Sequence, residues 1–384
     1  SDDAMIPSMY YKHAWAVDYA ADVKKIVKKI PVIAVNRIND PRIAETVLKC
    51  DKADLVGFAR ASLCEPDMPN LAKEGRFTEI RKCVACLHGC VGHIVTGRRG
   101  SCELNPMIGH ESDPAYQLKK TENPKKVMVI GAGPAGLFTA ISAAECGHDV
   151  TVYDRNRWAG GQYRIASIPP GKGEIASFIT WQMNELKKLD VPVILNTEVD
   201  KKMVDEFKPD VVVCATGVTP IVPKKIPGVD RENVVLGQDV LTGKVNTGQD
   251  IVVVGGGLVG AEVTNFLASL FKNVTVVEMR DGIALDEGPA PRKDLLNDMK
   301  KNGVRMLTDT SVQEITEDAV VVSGAVEEAI PADTVVLAIG RVPNVTLAEE
   351  LKDAGYDVRI IGDADKPGLV GDANRAGFVL GRSL

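Results

Sequence analysis

Apolar positions recur along this chain in two periods, and their alternation predicts its architecture. Val17, Ala20, Ala21, Val23, Ile26, Val27 and Ile30 fall at helical spacing, with Lys24, Lys25, Lys28 and Lys29 on the other face. Pro31 to Val35 is a short apolar run of strand type. Asp40-Pro41 supplies an N-cap and a proline at the first helical position, and predicts a helix through Leu48. Ala53 to Phe58 reads as a second buried strand. Helix, strand, helix, strand is the signature of parallel βα units. Two strands cannot fill a parallel sheet covered on both faces, and a closed eight-stranded βα barrel takes about 250 residues. Residues 1–82 are therefore predicted to be the last quarter of such a barrel. Asn36-Arg37 and Ala59-Arg60 follow the two strands, where barrels of this kind build a phosphate site.

Asn70 to Arg81 reads as a charged helix-like segment, and Ser112 to Lys126, polar with two prolines, as a linker. Beyond it the strand Lys126 to Ile130 runs into Gly131-Ala132-Gly133-Pro134-Ala135-Gly136, a helical pattern follows to Cys146, and a second strand ends at Asp154. The same design returns. Asp250 to Val254 leads into Gly255-Gly-Gly257-Leu258-Val-Gly260, then a helix, then a strand ending at Glu278. In each copy the first glycine permits a tight turn, the second lets backbone approach a pyrophosphate and the third lets helix pack on strand, while the helix N-terminus offers free N–H groups. Asp154 and Glu278 each lie 23 residues after the first glycine and are placed to accept from a ribose hydroxyl. Ala215-Thr216-Gly217 and Ala338-Ile-Gly340 each close one unit after a further strand, and Gly362-Asp363 comes last. The fold class is α/β. Its predicted parts are the barrel end (1–82), a cysteine module with linker (83–123), a first nucleotide fold (124–220), a second (221–340), and a return to the first (341–384).

The remaining chemistry is in the cysteines. Cys83, Cys86 and Cys90 fall within eight residues and Cys102 follows after eleven more. Thiolate is the ligand of both iron–sulfur clusters and structural zinc. Zinc sites usually take two separated pairs, whereas three plus one is nearer the grouping for a 4Fe–4S cubane. Zinc and plain buried thiols stay open as alternatives. His88 and His93 lie in the loop but four cysteines already suffice. Cys50, Cys64, Cys146 and Cys214 sit in apolar or helical surroundings and read as small core residues.

Composition adds exclusions. With 26% charged and 45% hydrophobic residues the chain has ordinary globular composition, and a net charge of -6 gives no reason to bind nucleic acid or an anionic membrane. No apolar run reaches transmembrane length. Clustered cysteines suit a reducing cytoplasm. The chain opens at Ser1 with Met5 internal, which points to a fragment, a processed product or a tagged chain.

The motifs from 124 to 384 resemble those of two-dinucleotide-fold flavoprotein reductases of the disulfide-reductase and thioredoxin-reductase type. By that resemblance the Gly131–Gly136 loop implies an FAD pyrophosphate site, Gly160-Gly161-Gln162 the turn along the flavin, Gly362-Asp363 the late pair reaching FAD, and the Gly255–Gly260 loop with Glu278 the NADH site. The full order is similar to the iron–sulfur branch of the old yellow enzyme family, which includes 2,4-dienoyl-CoA and 2-enoate reductases and the trimethylamine and histamine dehydrogenases. The cysteine spacing looks more like the reductases. The resemblance implies FMN in the barrel at Arg37, Ala59 and Arg60, although Asn36 and Ala59 stand where the family has glycine. It also implies a relay from NADH through FAD, a 4Fe–4S cluster and FMN to an activated C=C bond. Substrate-binding and proton-donating residues are expected in the barrel portion that this chain lacks, supplied in cis or in trans. Two other readings are an amine dehydrogenase with ADP in the first nucleotide site, and an electron-transfer subunit docking on a barrel partner. A small-molecule substrate is expected, and homo-oligomerisation is open.

Overall fold

A computed structural model describes residues 5–384 and divides them into two compact units. The first comprises residues through Arg164, Glu174–Gly217 and Pro343–Leu384; the second comprises Ile165–Gly173 and Val218–Val342.

Within the first unit the barrel end is formed as predicted but with short strands. Ile33–Ala34 pairs in parallel with Leu55–Val56, flanked by the helices Val17–Ile26 and Pro41–Lys49. The Asp40 carboxylate caps the latter by accepting from Arg42 N at 2.9 Å. The charged segment Asn70 to Arg81 is not one helix. It breaks at Gly75, whose φ of 74° is left-handed, into Met68–Lys73 and a single 3₁₀ turn, Phe77–Glu79. The polar stretch after the cysteines is also more than a linker. Tyr116 is buried, stacks on His110 with centroids 4.4 Å apart, and packs against Phe378.

The first nucleotide fold is a five-stranded parallel sheet in the order Val358–Ile360, Val211–Cys214, Lys126–Ile130, Asp149–Tyr153, Val193–Ile194. Its three inner strands are buried and almost wholly apolar beyond their first residues because helices cover both faces. The helix Pro134–Cys146 is buried on nearly every side. Small residues let the C-terminal helix Val370–Ser383 lie against it: a Cβ on Gly381 would come 2.7 Å from Ala143 N, and Ser142 Oγ donates to Phe378 O at 2.7 Å.

The second unit repeats the plan. Its parallel sheet runs Arg305–Leu307, Asn273–Val277, Asp250–Val254, Thr334–Leu337, Val234–Leu236. In both sheets the strand before the glycine loop is central and the strand ending in the acid is its neighbour. A three-stranded antiparallel sheet, Thr310–Ile315, Ala319–Gly324 and Glu328–Pro331, is added here. Among the described residues no helix is long and apolar enough to cross a membrane.

Candidate functional site

The four motif cysteines come together. Cys83, Cys86, Cys90 and Cys102 line one hollow in the first unit, with Cys64, Glu103 and Arg60 also on its wall. Ala85 and Leu87 flank Cys86 and hold left-handed backbone, φ 50° and 66°. Non-glycine residues rarely adopt that conformation, and here it folds the peptide around the hollow. Backbone amides are turned toward the sulfurs. Ala85 N donates to Cys83 Sγ at 3.4 Å, and the backbone amides of His88, Val91, and of Leu104 and Asn105, favour the thiolate forms of Cys86, Cys90 and Cys102 respectively. Burial pushes the Cys83 thiol up to about 11 and raises Cys86 and Cys90 too. Cys102 moves the other way, to about 7, because the Cys64 thiol hydrogen-bonds to it and adjacent amides assist. Among the described residues no three cysteine, histidine or acidic side chains close up tightly enough for a single metal ion. The sulfurs ring a space instead. His93 turns away, its Nδ1 lying 3.0 Å from Arg99 O.

Of the other four cysteines, Cys64, Cys146 and Cys214 are buried as their surroundings suggested, and Cys50 is not. Cys50 is exposed, because it ends its helix at the surface. Cys64 is fully buried but lines the cysteine hollow, reaching it from the helix Arg60–Cys64.

A second hollow opens at the ends of the two barrel strands. Asn36, Arg37, Asn39, Ala59, Arg60, Cys83 and Ala85 line it, so Arg60, Cys83 and Ala85 belong to both hollows. The Arg37 side chain points back into the protein. It pairs with Glu174 Oε1 at 2.7 Å and donates to Tyr11 O at 3.0 Å. Asn36 and Arg37 have φ of 77° and 54°, which brings backbone rather than guanidinium to the opening. Arg60 Nη1 donates to Pro7 O at 2.9 Å.

In the first unit the expected nucleotide residues converge. A Cβ on Gly131 would collide with Ala215 O, one on Gly161 would stand 3.2 Å from Gly133 Cα, and one on Gly362 would stand 2.8 Å from Ala135 Cβ. The Gly131 loop, the Gly160-Gly161-Gln162 turn, Ala215-Thr216-Gly217 and Gly362-Asp363 thus meet around the N-terminus of one helix. Asp154 is buried and braces this loop, Oδ2 accepting from Ala132 N at 2.7 Å and Oδ1 from Asn156 N at 2.7 Å. Thr216 Oγ1 donates to Asn344 O, and Asp363 Oδ1 accepts from Gly368 N.

The second unit holds the same constellation. Gly255 packs on Ala338, where a Cβ would lie 2.5 Å from the carbonyl oxygen. Glu278 Oε2 accepts from Gly256 N at 2.7 Å, and its Oε1 accepts from Arg280 N at 2.9 Å. A residue that the sequence did not single out lies on the loop: Asp286 Oδ1 accepts from Leu258 N, the first amide of the helix Leu258–Ser269, at 2.8 Å. Also unforeseen is a buried ion pair between Lys172 and Glu262. Neither had a local signal, since each partner lies tens of residues away.

Comparison with known proteins agrees with this geometry. Residues 125–364 match the family model "Pyridine nucleotide-disulphide oxidoreductase". Residues 3–79 match "NADH:flavin oxidoreductase / NADH oxidase family". The chain is 40% identical over 376 residues to an NADH oxidase of Thermoanaerobacter brockii, covering 96% of this chain and 57% of that protein. It is 34% identical over 364 residues to a cinnamate reductase of Clostridium sporogenes, covering 94% and 54%. A solved 2-naphthoyl-CoA reductase complex superposes with a TM-score of 0.95 at 30% identity, covering 98% of this chain and 57% of that one. The chain thus spans a little over half the length of these relatives. It belongs to the pyridine nucleotide-disulphide oxidoreductase family, joined to the end of an NADH:flavin oxidoreductase barrel in the arrangement of the iron–sulfur branch of the old yellow enzyme family.

Proposed function

We propose that this chain is the electron-input half of an NADH-dependent flavin and iron–sulfur oxidoreductase that reduces an activated C=C bond of an enoate or enoyl-CoA type. The observation that supports it best is the shared wall of the two hollows. Arg60, Cys83 and Ala85 face both the cysteine site and the mouth of the barrel strands. A centre held by the cysteines would therefore adjoin a cofactor seated in the barrel.

The residues fit the groups. Cys83, Cys86, Cys90 and Cys102 would hold a 4Fe–4S cluster: four part-buried sulfurs around one hollow, with backbone amides beside them, favour thiolate ligation of a positive inorganic core. Sulfurs spaced around a hollow suit a core of several atoms better than one zinc ion. In the first nucleotide fold Gly131 and Gly136 let the loop pack against Ala215, Gly133 faces open space where a pyrophosphate would come, and Gly161, Gln162, Gly362 and Asp363 extend the site beyond an ADP half, which favours FAD. Backbone at Asn36–Asn39 together with Ala59 and Arg60 would meet an FMN phosphate, while Arg37 tethers that strand end to Glu174. Bound there, flavin and cluster would supply conversion of a two-electron hydride into single-electron transfers. The protein's part is to hold the loops open, keep the sulfurs dry and set the nucleotide choice. The catalytic proton donor is assigned to the barrel portion outside this chain.

The test is a cofactor inventory paired with an activity split. Anaerobically purified chain should contain about four iron and four acid-labile sulfide and release FAD on heating. With NADH it should reduce an artificial one-electron dye but no enoate until the rest of the barrel is supplied. Stoichiometric zinc with little iron would remove the cluster; ADP alone would favour the amine-dehydrogenase reading.

A further inference from the structure

The loop after Glu278 returns to the glycine loop and fixes a carboxylate on it. Ala284 N donates to Gly256 O at 2.7 Å, with Ala284 in left-handed backbone at φ 51°. Ile283 is buried against Gly256, where an added Cβ would lie 2.5 Å from its Cδ1, and Arg292 Nε donates to Ile283 O at 2.8 Å. Glu287 N closes the turn on Ala284 O. Asp286 stands inside this pinned turn, which fixes its backbone beside the glycine loop while its side chain stays exposed. It accepts from Leu258 N, and both its oxygens lie 3.7 Å from where a Cβ on Gly257 would be. Arg280 Nη2 lies 3.7 Å from the same point.

That strip of backbone is where a dinucleotide pyrophosphate must come. The first amides of a helix have no intrahelical partner and an anion satisfies them. Here the protein's own anion already does so at Leu258. A pyrophosphate and the Asp286 carboxylate cannot share that amide, and their like charges repel at such a distance. We infer that Asp286 is a built-in competitor for the nucleotide pyrophosphate: its carboxylate holds the Leu258 amide when the site is empty and must be displaced when NADH binds, which weakens binding and promotes release of the spent nucleotide. Arg280, on the other side of the same strip, is placed to pair with whichever anion occupies it. This inference rests on the assignment of the Gly255 loop to NADH.

The experiment measures binding of ADP-ribose, which has the pyrophosphate but no redox chemistry, to the full chain by calorimetry. Asp286→Ala removes both the charge and the acceptor and should tighten ADP-ribose by about fivefold, the size expected for one capping hydrogen bond. Asp286→Asn keeps an oxygen acceptor without the charge and should fall between the two. Adenosine, lacking phosphate, should bind wild type and both variants alike. Thermal melting checks that each variant is folded. If wild type binds ADP-ribose and the folded variants bind it no tighter, the competitor role is wrong while the site stands. If neither wild type nor variants bind it, the NADH assignment fails and this inference with it.

Discussion

The two nucleotide folds are one design used twice, with counterparts 124 positions apart: Gly131 and Gly255, Asp154 and Glu278, Gly160 and Ala284. The bracing is the same in both. The acid accepts from the middle amide of the glycine loop, Ala132 in one and Gly256 in the other, at 2.7 Å. The return loop donates back to that residue's carbonyl, from Gly160 N in one and Ala284 N in the other, also at 2.7 Å. Against that background the differences stand out. The first helical residue is Pro134, with no N–H to offer, in one unit, and Leu258, whose N–H is held by Asp286, in the other. Asp286 corresponds to Gln162, Arg280 to Asn156, and Glu262 to Phe138. Phe138 is buried among Phe178, Trp181 and Phe378, whereas Glu262 is buried in an ion pair with Lys172. At these three positions the first copy carries neutral side chains, which suits a cofactor that stays. The other sets charges at the same places, which suits a nucleotide that comes and goes.

The sharpest way to break this contrast is at Phe138 and Glu262. Lys172→Met leaves a buried carboxylate without its partner and should destabilise the second unit by about 3–5 kcal/mol. Pairing Lys172→Met with Glu262→Phe installs the first unit's residue and should recover most of the loss, because an apolar pair of matched volume does as well as a buried ion pair. Urea denaturation followed by far-ultraviolet circular dichroism measures both. A single Lys172→Met as stable as wild type would mean the ion pair is not part of the fold's stability.

Next in size is the glycine swap. Gly131→Ala places a methyl against Ala215 O at a residue with φ 113°, and Gly255→Ala does the same against Ala338 O at φ 99°. Overpacking of this kind is worth about 1–3 kcal/mol, or roughly tenfold in affinity. Gly131→Ala should yield chain depleted of flavin by absorbance. Gly255→Ala should keep its flavin and lose about tenfold in kcat/KM for NADH with a dye as acceptor. A Gly131→Ala chain with full flavin and impaired NADH use would reverse the two assignments.

Much of this was legible in sequence because the information is local. Glycine loop, helix and acid lie within one 23-residue span, so spacing alone places Asp154 and Glu278. The cysteines likewise declare themselves by number and interval. What was not legible depends on partners far along the chain. Arg37 turns inward because Glu174 meets it from 137 residues away. Cys64 joins the cysteine hollow through a short helix that no periodicity marks. Asp286 looks like one more surface acid until the turn at Ala284 sets it on Leu258 N. The antiparallel sheet did leave a signal: Val320 and Val322 are buried and alternate with less buried neighbours in a strand that follows a turn at Glu317-Asp318.

The finest difference between the two folds is the residue two after the acid, Asn156 in one and Arg280 in the other. Both acids use one oxygen on the loop amide and the other on this residue's N–H. Asn156 Nδ2 also donates to Asp154 Oδ1 at 2.9 Å, and Arg280 Nε to Glu278 Oε1 at 3.3 Å. On the proposed assignment of this site to NADH, the buried Glu278 carboxylate faces an incoming ribose 2′-phosphate, with the nearest guanidinium already engaged by it. NADH should therefore be preferred over NADPH in kcat/KM. Glu278→Gln removes the repelling charge and releases Arg280 toward an incoming phosphate. A hydrogen bond to a charged group is worth about 1.5–3 kcal/mol, so the NADH-to-NADPH ratio should fall by about tenfold. Asp154→Asn, the matching change in the other unit, should leave that ratio unchanged and loosen flavin retention instead. Steady-state dye reduction with both nucleotides, alongside flavin content after dialysis, decides the matter. Equal use of NADPH by the wild-type chain, or a ratio that moves with Asp154→Asn and not with Glu278→Gln, would show that the two acids do not divide the work in this way.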